Sequence, residues 1–222
     1  MNPTNCEPQL LQLKRTVERT IEEFPQNSVC RKVDQGDLEL ADYHRILRMI
    51  FHQVREGPFS FALASVNCSP NLRAAKEYLL QHAEEEKSHW RWVLNDLEET
   101  GYPAASVESS LPPPACQDYI SFNYYVALRI PCARLAVAIV LEGIGARYGG
   151  QYARKTCELL SLTPKQTQFY AGHGNTDREH IQDLWRVIEE CEFSALEWQW
   201  MNFAAETAGR LYGAMYEEAL SN

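Results

Sequence analysis

Apolar residues recur at three- and four-residue spacing through almost the whole chain, and no run of alternating β-branched residues closed by Asn-Gly or Asp-Gly breaks the pattern. Such a chain buries its apolar side chains by packing helix on helix. The predicted fold class is therefore all-α, in a single domain spanning residues 1–222 with seven or eight helices. At this length roughly 70% of the surface of the unfolded chain disappears on folding, so neither disulfides nor a structural metal is needed for stability. A metal bound here would serve chemistry.

The spacing predicts a first helix over Pro8–Glu23, ending before Pro25, and a second segment over Ser28–Gln35. A long apolar-periodic run follows Asp37, with Gly57-Pro58 as a break or kink. After Pro70 a long amphipathic helix should run to Gly101. Residues 102–115, with Pro103 and Pro112-Pro113-Pro114, form the clearest non-helical connection. Beyond it, helices are expected over Gln117–Leu128 and Pro131–Leu160, then from Thr163-Pro164, and finally from Ser194 to the end of the chain.

Composition excludes several function classes. Lys plus Arg number 21 against 30 Asp plus Glu, a net charge of -9, which disfavours a phosphate backbone as partner. Seven cysteines are scattered without a C-x-x-C pair, so neither a disulfide framework nor a zinc ribbon is expected. The first fifteen residues lack the apolar core of a signal peptide, and a cytoplasmic location follows as the expectation. The most apolar window, Cys132–Ile144, is too short for a membrane span and contains Arg134 and Glu142.

Three segments carry residues suited to chemistry. In His173-Gly-Asn-Thr-Asp177-Arg-Glu-His180, two imidazoles and a carboxylate stand at i, i+4 and i+7, within roughly a 60° arc of a helix. A helix amino terminus capped by Asp177, with two unrelated histidines, is the alternative reading. In Glu84-Glu85-Glu86-Lys87-Ser88-His89, Glu86-x-x-His89 is the i, i+3 pair of di-iron helix bundles, although charge runs are commonly solvated faces. Glu85 or His82 could serve in place of Glu86. Glu142 is the sole acid in ARLAVAIVLEGIGARY, where an ionised carboxylate needs a metal or an arginine such as Arg134 or Arg147. Gly143 and Gly145 beside it permit close helix packing.

Together Glu86, His89, Glu142, His173, Asp177 and His180 supply three carboxylates and three imidazoles, a set that favours iron or manganese over zinc. Three negative charges offset part of the four positive charges of two divalent ions, so two irons fit better than one.

The order DYHRILRMIFHQVREGPFSFALA, HAEEEKSHWRWVLNDLEETGYP, LAVAIVLEGIGARYG and HGNTDREHI resembles the heme-oxygenase-like di-iron oxidases, relatives of the chlamydial protein associating with death domains. The resemblance covers roughly residues 38–190. It implies a heme-oxygenase-like bundle of about seven helices that holds metal between its core helices and carries no heme. It also implies two ferrous ions, the second weakly held in some relatives, with O2 as co-substrate. The reactions it implies on a small-molecule substrate are amine N-oxygenation, amino-acid desaturation or carbon–carbon cleavage, fatty-acid decarboxylation, and aminobenzoate formation from an internal tyrosine. Neither nucleic acid nor a membrane is an expected partner; a homodimer is compatible with the reading.

For the substrate, Tyr119, Phe122, Tyr124, Tyr125, Tyr148, Tyr152 and Phe169 could line an aromatic pocket, and Arg129, Arg134, Arg147 and Arg178 could clamp a carboxylate. Two rival readings keep the fold. One is a metal-free enzyme resembling thiaminase II or pyrroloquinoline quinone synthase, the other a helical protein-interaction module.

Overall fold

A computed structural model describes residues 7–221, apart from the side chains of residues 171 and 173–179. Among the described residues all regular structure is helical: α1 Glu7–Glu23, α2 Ser28–Gln35, α3 Leu40–Asn67, α4 Arg73–Glu86, α5 Trp90–Glu99, α6 Ala104–Glu108, α7 Pro114–Arg129, α8 Ala133–Ile144, α9 Gly150–Leu160, α10 Gln168–Glu190 and α11 Ala195–Ala219. The segments outnumber the seven or eight expected because long helices are cut and a short one is added. None of these helices is long and apolar enough to cross a membrane.

Helix α8 occupies the centre, because residues 133 to 140 are apolar on every side except at Arg134, and all are buried. It packs against α1, α7, α10 and α11, while α3 packs against α4, α5 and α7. Gly143 permits the closest of these approaches. A Cβ there would stand 2.2 Å from Ile21 Cδ1 on α1.

Local signals account for many ends. The Asn27 side chain accepts from the Cys30 backbone N–H at the start of α2, and Gly36 closes that helix at φ 80°. Gly101, at φ 82°, follows the end of α5. Ser194 and Glu197 form a capping box for α11. Pro114 sits in the first turn of α7, where its missing N–H costs nothing, so this helix begins earlier than Gln117.

Four differences from the expected elements stand out. Helix α3 continues through Gly57-Pro58, with Ser60 Oγ donating to the Gly57 carbonyl at 2.8 Å. The helix expected to run to Gly101 ends at Glu86, turns over residues 87–89 and resumes as α5. The helix expected over Pro131–Leu160 contains a wider π turn at Gly145–Gly149, directly after Glu142 and Gly143. The Pro-rich connection, expected to be irregular, contains the short helix α6.

Candidate metal centre

His82 and Glu86 lie four residues apart near the end of α4, and so share one face. Glu142 projects from the last turn of α8, and His180 from α10. One ligand atom from each of these four residues lies within 4.8 Å of all the others. The His82 Nε2 is 3.2 Å from Glu142 Oε1, and the His180 Nδ1 is 3.3 Å from Glu142 Oε2. The other ring nitrogen of His180 is 3.3 Å from Glu85 Oε2 at the exposed edge. The two imidazoles meet edge to face, with ring centroids 4.7 Å apart.

Burial alone would raise the Glu142 pKa, but the hydrogen bond from His180 and the nearby His82 imidazole outweigh it and bring the group down to about 2. His180 moves the other way: burial lowers it, and Glu142, helped by Glu86 and Glu85, lifts it to about 9. Without metal, an ionised carboxylate therefore faces a protonated imidazole.

His82 remains incompletely satisfied. It is buried, with Phe61 edge-on at 4.5 Å and Tyr78 stacked at 5.4 Å, and its Nδ1 lies 3.5 Å from the Tyr78 hydroxyl. Its Nε2 is within ion-pair reach of Glu142 yet misaligned for a hydrogen bond, and has no hydrogen-bond partner. A buried polar atom left in this state costs about 1–3 kcal/mol. A divalent cation among the four ligand atoms would satisfy it, and two imidazoles with two carboxylates suit iron or manganese. The residues present fit the group.

The structure brings together Glu86, Glu142 and His180 of the six expected ligands, and His82, first considered as an alternative, stands with them. His89 adjoins the cluster through Glu86. From the turn after α4 its Nδ1 lies 2.7 Å from Glu86 Oε2, while its ring stacks on Trp92 at 4.2 Å. The side chains of His173, Asp177 and Arg178 lie outside the described residues. The sequence signal for His82 was its i, i+4 relation to Glu86. An unbroken helix through His89 gave the i, i+3 pair precedence.

A cavity of about 150 Å³ opens from the cluster, with His82, Glu86 and Glu142 at one side. Of the aromatic residues expected around a pocket, Tyr148, Tyr152 and Phe169 line it. Tyr119 instead lies in the core, Phe122 packs on Phe203, Tyr124 donates to Glu56 and Tyr125 faces Trp200. Tyr43, Tyr170, Tyr212 and Tyr216 were not foreseen and complete the wall. Of the arginines, Arg147 pairs with Glu18, Arg129 is exposed, and Arg134 faces the cavity.

The bundle has the heme-oxygenase-like fold. Residues 45–209 match the family model of iron-containing redox enzymes, and the chain belongs to that family. Among solved structures, it is similar to a domain of unknown function with a heme oxygenase-like fold from Shewanella denitrificans OS217. They share 20% identity over 95% of this chain and 91% of that one, with a TM-score of 0.87. A TenA homologue from P. horikoshii OT3 shares 14% identity over 93% and 95% of the two chains, with a TM-score of 0.75. Heme oxygenase-1 from the cyanobacterium Synechocystis sp. PCC6803, in complex with heme, shares 14% over 96% and 93%, with a TM-score of 0.71. These likenesses show the fold. No curated protein matches the chain.

Proposed function

We propose that this chain is a non-heme di-iron oxidase. In this reading Glu86, His89, Glu142, His173, Asp177 and His180 hold two ferrous ions, with His82 as a further ligand, and O2 is used to oxidise an amino acid, an amine or a fatty acid. The observation that carries the reading is the convergence of His82, Glu86, Glu142 and His180, in which the buried Nε2 of His82 faces Glu142 Oε1 at 3.2 Å without an aligned hydrogen bond. Ferrous iron at this position supplies the capacity to bind and reduce dioxygen. The candidate reactions are N-oxygenation, desaturation, carbon–carbon cleavage and oxidative decarboxylation.

The chain's own residues do the rest. Glu86 and Glu142 offset the charge of the ions, and His180 gives up its proton as it becomes a ligand. His89, whose Nδ1 lies 2.7 Å from Glu86 Oε2, stands close enough to join Glu86 in the ligand set. The largely apolar and aromatic walls of the cavity limit the water around the reacting groups and leave room for a small substrate.

The fold also accommodates a metal-free enzyme of the TenA kind, which would require an activated thiol. Burial pushes Cys30 and Cys68 up to about 11 and Cys116 up to about 12, with Cys132 higher still, opposite to what a nucleophile needs. The deciding experiment is anaerobic Fe(II) loading with metal analysis, followed by stopped-flow mixing with O2, on the native chain and on a His82→Ala, His180→Ala variant. Near two irons per chain and an oxygen-dependent visible transient are expected, both lost in the variant. Failure to bind iron specifically would overturn the proposal and move the weight to a metal-free enzyme or an interaction protein.

A further inference from the structure

Arg134 is 2% exposed. Its Nε donates to Ser60 Oγ at 3.1 Å, but Nη1 is buried with no hydrogen-bond partner, and among the described residues it forms no ion pair. Burying an unpaired cation costs several kcal/mol. The face of Phe61, with its centroid 3.7 Å from the guanidinium carbon, offsets part of this and leaves Nη1 unsatisfied.

The position of the guanidinium gives this meaning. Arg134 precedes Glu142 by eight residues on α8, roughly 12 Å of helix. It lines the same cavity as His82, Glu86 and Glu142, and is the one Lys or Arg among the described lining residues. The Phe61 ring touches both the guanidinium, 3.7 Å from its centroid, and the His82 imidazole, 4.5 Å between centroids. The remaining wall is mainly apolar and aromatic, as at Ile46, Val54, Ala138 and Tyr170. The Gly57-Pro58 segment of α3 builds the cradle, since Ser60 and Phe61 both come from the turn after it. Burial draws the Arg134 pKa down to about 10, so the group stays charged at neutral pH.

We infer that the cavity takes a small monocarboxylate with an apolar body, its carboxylate held by Arg134 and its body reaching toward the His82–Glu142 cluster. The guanidinium fork matches a carboxylate through two parallel N–H···O bonds, and a cavity near 150 Å³ has room for a ligand of about six to nine heavy atoms. The inference rests on the oxidase reading for the chemistry that follows binding, and narrows its substrates to those bearing a free carboxylate.

The test is calorimetric titration of the anaerobic Fe(II)-loaded full chain with hexanoate and benzoate, each against its primary amide. Each carboxylate should bind at least tenfold more tightly than its amide. Arg134→Gln should erase that ratio without changing amide affinity or iron content, and Arg134→Lys should restore part of it. Should Arg134→Gln not fold, the ratio in the native chain and its reduction in Ser60→Ala still decide. Equal binding of acid and amide, no binding of either acid, or a ratio unchanged in Arg134→Gln would overturn the inference. Carboxylate selectivity in a chain that binds no iron would sink the oxidase reading alone; iron and oxygen chemistry without selectivity would sink the anion site alone.

Discussion

Glu142 stays ionised in the interior because two imidazoles face its two oxygens, and this couples metal to protons. His180, lifted to about 9, contributes stability that is fully present below its ordinary value of 6.5 and is lost as pH rises through 9. Glu142, lowered to about 2, contributes stability present above its ordinary value of 4.5 and lost as pH falls through 2. The metal-free protein should therefore be most stable between these ordinary values and weaken toward pH 9. A metal ion needs His180 neutral and must displace its proton. The apparent Mn(II) affinity should rise about tenfold per pH unit from pH 6.5 to 8.5, one proton leaving per ion bound. Electron paramagnetic resonance of free Mn(II) measures it, and a pH-independent affinity would remove His180 from the ligand set.

At the scale of elements, the docking of α10 decides whether His180 reaches α4 and α8. Its first turn is capped from a distant element: the buried Asp96 of α5 accepts from the Gln168 and Phe169 N–H groups at 2.8 and 2.9 Å. Asp96→Ala leaves both donors unpaired and should cost about 1–3 kcal/mol in urea unfolding, with weaker metal binding. Asp96→Asn keeps one acceptor and should cost less. Gly143→Ala places a methyl against Ile21 and should destabilise by about 1–3 kcal/mol in the native chain but by much less in an Ile21→Ala background. The same cost of Gly143→Ala in the native and Ile21→Ala backgrounds, in the same unfolding assay, would refute the clash. These examples show what the sequence makes legible. Caps and stops made by neighbouring residues, such as Asn27, Gly36, Gly101 and Ser194, were readable because their partners lie within one turn. The Asp96 cap was not, since its donors lie more than seventy residues away. Nor was the break after Glu86, because Lys87-Ser88-His89 contains neither Gly nor Pro. That break leaves His82 beside Glu86 and Glu142, with His89 next to Glu86 in the turn that follows.

At the scale of the whole molecule, the cluster ties three helices together: α4 with His82 and Glu86, α8 with Glu142, α10 with His180. The sequence located these contributors because a lone acid in an apolar helix and histidines at helical spacing are local signals. The cavity beside them depends on residues from seven helices and had no local signal, which is why only three of the seven aromatic residues expected there line it. A ligand set drawn from three helices makes metal a cross-brace of the native state, absent from the unfolded chain. An ion at a hundred times its dissociation constant adds about 2.7 kcal/mol. For a chain of this size each kcal/mol moves the midpoint of thermal unfolding by about 2–4 °C. Saturating Mn(II), which avoids oxidation during the scan, should thus raise the midpoint by roughly 5–10 °C, and His82→Ala with His180→Ala should abolish the rise. Calcium, which prefers six to eight oxygen ligands, should leave the midpoint unchanged. An equal response to calcium would mean that surface carboxylates bind the ions and that the buried imidazoles take no part.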